Sequence, residues 1–369
     1  MPEPESGTSQ RLVYINGKFL AQRITGVQRF GRELLNAMDR LLPTGRRIGR
    51  PVLLVPAGTP VAQMANIDVV ELPGTRNLHL WEQTLLPWRA RCGLLLNIGG
   101  TAPLLHRHQI ATIHDAAIFD HPEAYTARFR RWYRFAFRTL SRTACTILVS
   151  SRYSMKRFEA IFGSDAPFTW VGAGVDHIGR MGEDLSILKR LVLETEPYLL
   201  AVGSANPTKN FARLLEAFNR AQSREKMRLV IVGGVNESVF SEVGSLSGLS
   251  YHVIVAGPVS DEELKTLYQH AQAFIFPSIY EGFGFPALEA MACGSPVIAA
   301  RAASIPEVGG DAPLYFDPFD ESAIARAIDD VAESPELREQ LRQKGWARAG
   351  EYRWDDVASR VLVQLERFI

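Results

Sequence analysis

Two glutamates, Glu281 and Glu289, stand eight positions apart on either side of a glycine-rich turn in the stretch IYEGFGFPALEAMACGSPVIAA. Pro286 suits the first position of a helix, and Gly294 suits the position just beyond its last turn. The peptide N–H groups of residues 282–284 would then lie at the helix N-terminus, where unpaired donors and the helix dipole favour an anion. The turn is therefore predicted to bind a phosphate group.

A nicotinamide dinucleotide is one ligand to consider, because residues 282–287 match the pattern G-x-G-x-x-A. That fingerprint requires a strand running directly into the first glycine and an acid about 20 residues later. Here five residues, from Pro277 to Glu281, separate the predicted strand from the glycine, and Arg301 follows the next strand in place of an acid. Since an arginine can accommodate the 2′-phosphate of NADP, this alternative stays open.

The two glutamates favour a different ligand. Carboxylates repel phosphates but accept hydrogen bonds from vicinal hydroxyls. Glu281 directly precedes the predicted helix and Glu289 lies one turn inside it, so their carboxylates would flank the bound phosphate. A nucleotide sugar, which has a diphosphate between two hydroxyl-rich sugars, fits this arrangement. Either glutamate alone would be read as an ordinary helix-surface acid.

Short apolar runs rich in β-branched residues alternate with helical stretches along the chain, which indicates parallel sheets with helices on both faces. The runs predicted as strands are RLVYING, RPVLLVPAG, GLLLNIGG, QIATIHD and TACTILVSS in the first half, and PYLLAVGS, MRLVIVGG, YHVIVAGP, AFIFPS and SPVIAA in the second. A glycine-rich segment at residues 172–195 separates the halves. Ligands are expected at the carboxyl ends of the strands, in a cleft between two domains.

Charge is unevenly distributed although the net charge is only +1. Residues 1–180 hold 23 Lys and Arg against 13 Asp and Glu, so the first half should meet something anionic. Residues 127–142, ARFRRWYRFAFRTLSR, carry six arginines between aromatic residues. This helix would either lie on an anionic membrane or pack its aromatic side chains on the sheet. No nucleic-acid-binding motif accompanies the charge, so nucleic acid is not an expected partner.

The remaining composition is typical of a soluble globular protein, with 46% apolar and 22% charged residues. The start, MPEPESGTSQ, is polar and no long apolar run follows, so we expect no signal peptide, no membrane span and a cytoplasmic location. Three widely spaced cysteines lack metal-ligand spacing and are predicted to be buried free thiols. No Asp-x-Asp pattern occurs, so we expect a reaction that requires no metal or other cofactor.

The run LYQHAQAFIFPSIYEGFGFPALEAMACGSPVIAARAASIPEVGGDAPLYFDPFD closely resembles the signature region of the retaining glycosyltransferases of family 4. The resemblance extends to ITGVQRFGRELL, ATIHDAAIFDHPE, ILVSSRYSMKRF and AVGSANPTKNFARLLEAF, and so covers nearly the whole chain. It implies an α/β GT-B fold, in which two Rossmann-like domains with parallel sheets face each other across a cleft. We expect an acceptor-side domain at residues 1–180, a nucleotide-sugar-binding domain at residues 181–350 and a C-terminal helix at residues 351–369 packing back towards the first domain.

The resemblance also implies roles for individual residues of the second half. Glu281 would bind hydroxyls of the donor sugar and act in catalysis, whereas Glu289 would bind the ribose hydroxyls. The amides around Phe283 and Gly284 would bind the diphosphate, with Leu288 as a further donor contact.

Five other positions complete the predicted site. Lys209 would neutralise the diphosphate, His114 would contact the donor sugar in the cleft with Asp115 orienting it, and Gly26 would lie at a helix N-terminus close to the diphosphate. Ser204 matches another donor-binding position, but basic residues are common in the family there and at Thr208. Stabilisation of the leaving group would therefore depend on Lys209 and the helix dipole, with Arg301 as a further candidate.

Taken together, the sequence predicts a retaining, metal-independent hexosyltransferase of surface polysaccharide biosynthesis. It would act on a saccharide acceptor, expected to be lipid-linked, at the inner face of the plasma membrane. GDP-mannose is the favoured donor, because the His-Asp segment and the P-x-K-N turn look most like the mannosyltransferase-like branch. A nucleotide-sugar epimerase of the same fold and a non-catalytic two-domain sugar-binding protein remain as alternatives.

Overall fold

The computed structural model describes residues 12–42, 48–74, 77–234 and 252–369. The first ten residues, on which the expectation of no signal peptide partly rests, lie outside these ranges. Within the described residues, no helix combines the length and the apolar character that crossing a bilayer requires.

The first domain is built on a parallel sheet of seven strands in the order β3-β2-β1-β4-β5-β6-β7. Every residue of the four strands β1, β4, β5 and β6 is buried, as expected where helices cover both faces of a sheet. The strands β1 to β7 span Val13–Asn16, Val52–Pro56, Asp68–Leu72, Leu94–Asn97, Gln109–Thr112, Thr146–Val149 and Phe168–Trp170. The helices α1 to α6 span Gly26–Leu41, Leu78–Gln83, Leu85–Arg89, Ala117–Asp120, Ala127–Thr143 and Arg152–Phe162.

The second domain is built on a parallel sheet of six described strands in the order β10-β9-β8-β11-β12-β13. The strands β8 to β13 span Tyr198–Gly203, Arg228–Gly233, Val253–Gly257, Ala273–Phe276, Val297–Ala300 and Leu314–Phe316. The helices α7 to α14 span Ser186–Arg190, Phe211–Arg220, Asp261–His270, Phe285–Ala292, Ile305–Gly309, Glu321–Glu333, Pro335–Ala349 and Trp354–Phe368. The predicted α/β fold of two parallel Rossmann-like sheets is thus confirmed.

The last helix, α14, belongs to the second half of the sequence but packs on the first domain. The ring of Trp354 meets that of Phe30 on α1 edge-on at 5.5 Å. Arg360 Nε donates to the carbonyl of Val171 at 2.7 Å. The chain therefore passes between the domains twice, after β7 and again before α14.

The two domains also touch through the loops at the carboxyl ends of their strands. Ser151 Oγ, after β6, donates to the carbonyl of Gly282 at 2.6 Å. The backbone N–H of Ala116 donates to the hydroxyl of Tyr280 at 3.2 Å. These contacts bring the loops after β5 and β6 against the loop after β11, and the cleft forms between them.

The structure corrects the expectation that all three cysteines are buried. Cys92 is exposed, because it lies in the turn between α3 and β4, whereas Cys145 and Cys293 are partly buried. All three are free thiols.

Candidate active site

A cavity of about 220 Å³ lies between the domains where the two sets of strand ends meet. It is open to solvent and draws residues from both domains. Six predicted site residues line it: Gly26, His114, Lys209, Glu281, Phe283 and Gly284. Gly26 begins α1 of the first domain, and Phe285 begins α10 of the second, so the N-termini of two helices open into one space.

The anion-binding turn has the predicted local structure. Helix α10 begins at Phe285, with Pro286 in its first turn and Gly284 as its N-cap. Gly284 has a φ of 104°, a left-handed conformation that suits glycine. The first N–H groups of a helix have no partner within the helix, so they can donate to an anion in the cavity.

Glu281 and Lys209 form an ion pair inside this cavity. Lys209 Nζ donates to Glu281 Oε1 at 2.6 Å, and the two side chains are only 19% and 12% exposed. Lys209 ends a short turn after β8, and the next residue, Asn210, donates to the carbonyl of Pro277 after β11 at 3.2 Å. Ser304 Oγ donates to the carbonyl of Glu281 at 2.9 Å. The loops that carry the pair are therefore fixed to each other and to the segment before α11.

His114 enters the cavity from the first domain, directly after β5. Its Nε2 atom is buried and has no hydrogen-bond partner among the described residues. Burial lowers the pKa of His114 to about 4, so the imidazole is neutral at physiological pH. Phe30 packs its ring edge-on against the imidazole at 4.9 Å. A neutral, unpartnered ring nitrogen in the cleft is suited to hydrogen bonding with a sugar hydroxyl.

Asp115 lies beside His114 but is tied to the backbone. Its Oδ1 accepts from the N–H of Ala117 at 2.9 Å at the start of α4. Burial raises the pKa of Asp115, the Ala117 hydrogen bond opposes this effect, and the nearby charge of Glu281 adds to it. No contact between the side chains of Asp115 and His114 is found, so the structure supplies no sign that Asp115 orients the imidazole.

Glu289 lies deeper than the cavity lining and is only 8% exposed. Tyr268 donates its hydroxyl to Glu289 Oε2 at 3.4 Å, and His177 Nε2 lies 3.6 Å from Oε1. Trp354 Nε1 donates to His177 Nδ1 at 3.1 Å, which leaves the imidazole proton on Nε2, facing the carboxylate. Sequence reasoning missed these three partners, because none of them carries a local pattern.

Besides Glu289, three of the residues considered lie outside the cavity lining. Ser204 is exposed after β8 and does not line it. Leu288 is fully buried in the core of the second domain, so its side chain is not available to a ligand. Arg301, considered above for a 2′-phosphate, is exposed and lies over the ring of Tyr315 at 4.5 Å in a separate surface depression.

A second cavity of about 290 Å³ adjoins the first on the side of the N-terminal domain. The two cavities share Val27, His114 and Asp115. The second is lined by aromatic side chains of α5 and by Lys18, whose ammonium group is buried in an ion pair with Glu82. The lysine of INGKFL, directly after a predicted strand, was the available sequence signal for this site.

Among the described residues, no group of three or more His, Cys, Asp or Glu side chains has the geometry of a metal site. The charged side chains in the described lining of the first cavity are Lys209, Glu281 and Asp115, and the N-termini of α1 and α10 open into the same space.

Comparison with known proteins finds a matching family and similar sequences. The profile of the family Glycosyl transferases group 1 matches residues 186–348. The chain is 32% identical over 261 residues to O-antigen chain mannosyltransferase B of Escherichia coli, an alignment covering 69% of this chain and 68% of the relative. It is 29% identical over 279 residues to MMP alpha-(1->4)-mannosyltransferase of Mycolicibacterium hassiacum, covering 70% of this chain and 65% of the relative.

A solved structure resembles the whole fold. Sucrose-phosphate synthase from Thermosynechococcus elongatus superposes with a TM-score of 0.74 at 19% identity, over 97% of this chain and 98% of the other. The similarity therefore includes both sheets and the cleft between them.

Proposed function

This chain belongs to the group 1 glycosyl transferases, and on that premise we propose that it transfers mannose from GDP-mannose to a saccharide acceptor with retention of anomeric configuration. The sugar is favoured because both relatives named above are mannosyltransferases. The first of them is an O-antigen chain enzyme, which supports a role in surface polysaccharide biosynthesis.

The observation that carries the proposal is the Lys209–Glu281 ion pair at the N-terminus of α10. A diphosphate bound there would meet the cationic Nζ of Lys209 and the N–H groups of residues 282–284. Glu281 would then be free to accept hydrogen bonds from hydroxyls of the transferred sugar. Glu289, held by Tyr268, would bind the ribose hydroxyls.

The proposed reaction needs no group beyond those of the cleft and its substrates. The acceptor oxygen bonds to the anomeric carbon on the face from which the diphosphate leaves, while the bond from that carbon to the phosphate oxygen breaks. The acceptor proton passes to a phosphate oxygen of the leaving nucleoside diphosphate. Lys209 and the helix N-terminus stabilise the negative charge that develops there, which supports transfer without a metal.

Helix α5 supports a further part of the proposal, which is contact with an anionic membrane carrying a lipid-linked acceptor. Trp132 and Phe135 are 42% and 58% exposed on this helix, and Arg131 is exposed beside them. Arg134 does not belong to this surface, because its Nε donates to the carbonyl of Ile118 at 3.1 Å. Aromatic and basic side chains on one exposed helix suit the boundary of an anionic bilayer.

Transfer assays with purified protein test the function directly. We expect Glu281→Gln to abolish mannosyl transfer while GDP still raises the melting temperature, since the carboxylate contact to the sugar is lost but Lys209, freed from its ion pair, still meets the diphosphate. Glu289→Gln should instead weaken GDP binding. Glu333→Gln, an exposed change at the end of α12, serves as the matched control and should alter neither. The opposite pattern for the two site variants would show that their roles are exchanged.

A further inference from the structure

The second cavity, on the side of the N-terminal domain, has one aromatic wall. The rings of Tyr125 and Phe129 lie 5.4 Å apart and 7° from parallel, and those of Phe129 and Tyr133 lie 4.2 Å apart at 26°. All three line the cavity. Phe129 and Tyr133 are four apart on α5 and so lie on the same helix face, whereas Tyr125 precedes the helix and continues the stack. Such a wall offers apolar surface for the C–H groups of a sugar ring.

The facing wall is polar and carries no charge. Gln22, Thr25 and Gln28 line it, and Gln28 Nε2 donates to Gln22 Oε1 at 3.1 Å. The Thr25 hydroxyl is hydrogen-bonded to Gln28. Amides and hydroxyls can donate to and accept from sugar hydroxyls without attracting ions.

The charge at the base of this cavity is neutralised within the protein. Lys18 and Glu82 are 2% and 1% exposed, and Lys18 Nζ donates to Glu82 Oε2 at 2.7 Å and to Thr101 Oγ1 at 2.5 Å. Asn16 Nδ2 donates to the other carboxylate oxygen of Glu82 at 2.9 Å. The lysine therefore gives the cavity hydrogen-bonding capacity without a free positive charge to attract a phosphate or carboxylate.

The titratable groups around the ion pair do not restore a positive charge. His79 and His114 also line the cavity, and burial lowers the pKa of each. Asp115 is the other ionisable side chain in the described lining that changes charge in the acidic range, and burial raises its pKa. An anionic ligand would thus find no uncompensated cation in the described lining.

We propose that this cavity binds the uncharged sugar ring at the end of a growing saccharide, and that the Lys18–Glu82 pair selects against acceptors whose terminal unit carries phosphate or carboxylate. The inference rests on the proposed function, because the bound sugar must place one of its hydroxyls next to the donor. The two ligands would meet at Val27, His114 and Asp115, which line both cavities. The phosphate of a lipid carrier would lie outside the cavity. The enzyme therefore acts after another transferase has attached at least one neutral sugar.

A matched pair of acceptors tests the inference. We expect transfer to an alkyl mannoside and at least about tenfold lower kcat/KM with the corresponding mannoside 6-phosphate, a difference of one decade in selectivity. Equal or better use of the phosphorylated acceptor by the unmodified enzyme would overturn the inference.

Variants of Lys18 and Glu82 test whether this ion pair causes the preference for the neutral acceptor. Glu82→Gln leaves the Lys18 charge uncompensated and should shift the preference by about tenfold towards the phosphorylated acceptor. Adding Lys18→Met to that variant should restore the original preference. An unchanged preference in a folded Glu82→Gln protein would contradict the role of the pair.

A second variant keeps the test independent of the buried charges. Phe129→Ala should raise KM for the alkyl mannoside several-fold to about tenfold, since aromatic contacts contribute at that scale. Trp88→Ala, which removes a 64% exposed aromatic ring of the same domain outside the cavity, is the control and should leave KM unchanged. Equal KM values for the Phe129 variant and the parent would contradict the acceptor site.

Donor binding separates failure of this inference from failure of the proposed function. If GDP, UDP, ADP and dTDP all fail to raise the melting temperature, the donor assignment itself fails. If a nucleoside diphosphate binds and the donor is consumed, but charged and neutral acceptors react alike, the acceptor inference alone is wrong.

Discussion

Glu281 and Lys209 neutralise each other at 2.6 Å. A diphosphate at the N-terminus of α10 would compete with Glu281 for the ammonium group. Under the proposed function, the carboxylate would hold Lys209 in place before the donor binds and would become available to the sugar once the phosphates had taken its partner. This proposed exchange would account for an acid beside a turn that binds an anion.

The competition predicts opposite effects of two substitutions on GDP affinity. Glu281→Gln should bind GDP at least as tightly as the parent, because the competing carboxylate is gone. Lys209→Met should bind GDP roughly tenfold to a hundredfold more weakly, as expected for loss of a charge-assisted hydrogen bond. Isothermal titration calorimetry measures both, and weaker binding by Glu281→Gln would contradict the proposed exchange.

Because His114 is buried, the free energy of unfolding should depend on pH. Burial lowers its pKa from 6.5 to about 4, so the unfolded chain binds more protons between these values. The stability gained from the neutral imidazole is therefore complete above pH 6.5 and is lost as the pH falls towards about 4. The contribution is up to roughly 3 kcal/mol.

Denaturant unfolding at neutral and acidic pH checks this effect. His114→Gln, which cannot titrate, should lose less stability than the parent on acidification. His121→Gln removes a histidine that pairs with Glu123 outside both cavities and should behave like the parent. Parallel pH dependences for His114→Gln and the parent would show that the imidazole is not held neutral by burial.

At the scale of elements, most of the strands were accessible from sequence because buried parallel strands are continuous apolar runs. The three strands that were missed lack this signal. β3, DVVEL, lies at an edge and carries two acids, whereas β7 and β13 are three residues long. Every predicted strand is present, with its ends shifted by at most three residues.

The site residues also fall into two groups, those that a local sequence pattern identifies and those that it does not. Glu281, Lys209 and His114 follow strands at their carboxyl ends, where parallel sheets place ligands, so their loops were identifiable. The partners of Glu289 were not, since Trp354 and His177 meet at a separation of 177 positions. Such contacts depend on how the two domains pack against each other, and a local sequence pattern does not predict that packing.

The turn before α10 predicts a matched effect of two glycine substitutions. Gly284 and Gly163 both have left-handed φ values, 104° and 97°, and an added Cβ at either position meets no atom closer than 3.6 Å. Each change to Ala should therefore cost about 1–2 kcal/mol of stability through backbone strain. Only Gly284→Ala should also weaken GDP binding, because only Gly284 shapes the anion site.

Thermal unfolding with and without GDP measures both effects at once. A Gly284→Ala protein that kept the full GDP-induced shift in melting temperature would show that the diphosphate binds elsewhere. Gly163→Ala should show a lowered melting temperature with that shift intact.

At the scale of the whole molecule, the segments that join the domains converge on the proposed nucleotide site. Trp354 begins the helix that packs on the first domain, yet its indole N–H bonds to His177 in the other connection, and His177 faces Glu289. Arg29 of α1 pairs across the cleft with Asp261 of the second domain. Domain position and the surroundings of Glu289 are therefore linked by the Trp354–His177 hydrogen bond and by the 3.6 Å approach of His177 to Glu289.

This linkage predicts that a distant tryptophan affects nucleotide binding. Trp354→Phe retains a ring beside Phe30 but removes the donor to His177, so GDP affinity should fall by about twofold to tenfold, the scale of one hydrogen bond. Trp346→Phe, a half-exposed position on α13, is the control. Equal GDP affinities for Trp354→Phe and the parent would show that His177 needs no help from the indole to hold Glu289.

If the proposed function is right, a nucleotide sugar binds in the cleft with its diphosphate at the start of α10. A crystal structure of the protein soaked with GDP-mannose measures this directly. We expect phosphate oxygens within hydrogen-bond distance of the amides of residues 282–284 and of Lys209 Nζ, with Glu281 on the hexose and Glu289 on the ribose. A ligand bound elsewhere, or both carboxylates turned away from it, would contradict the account.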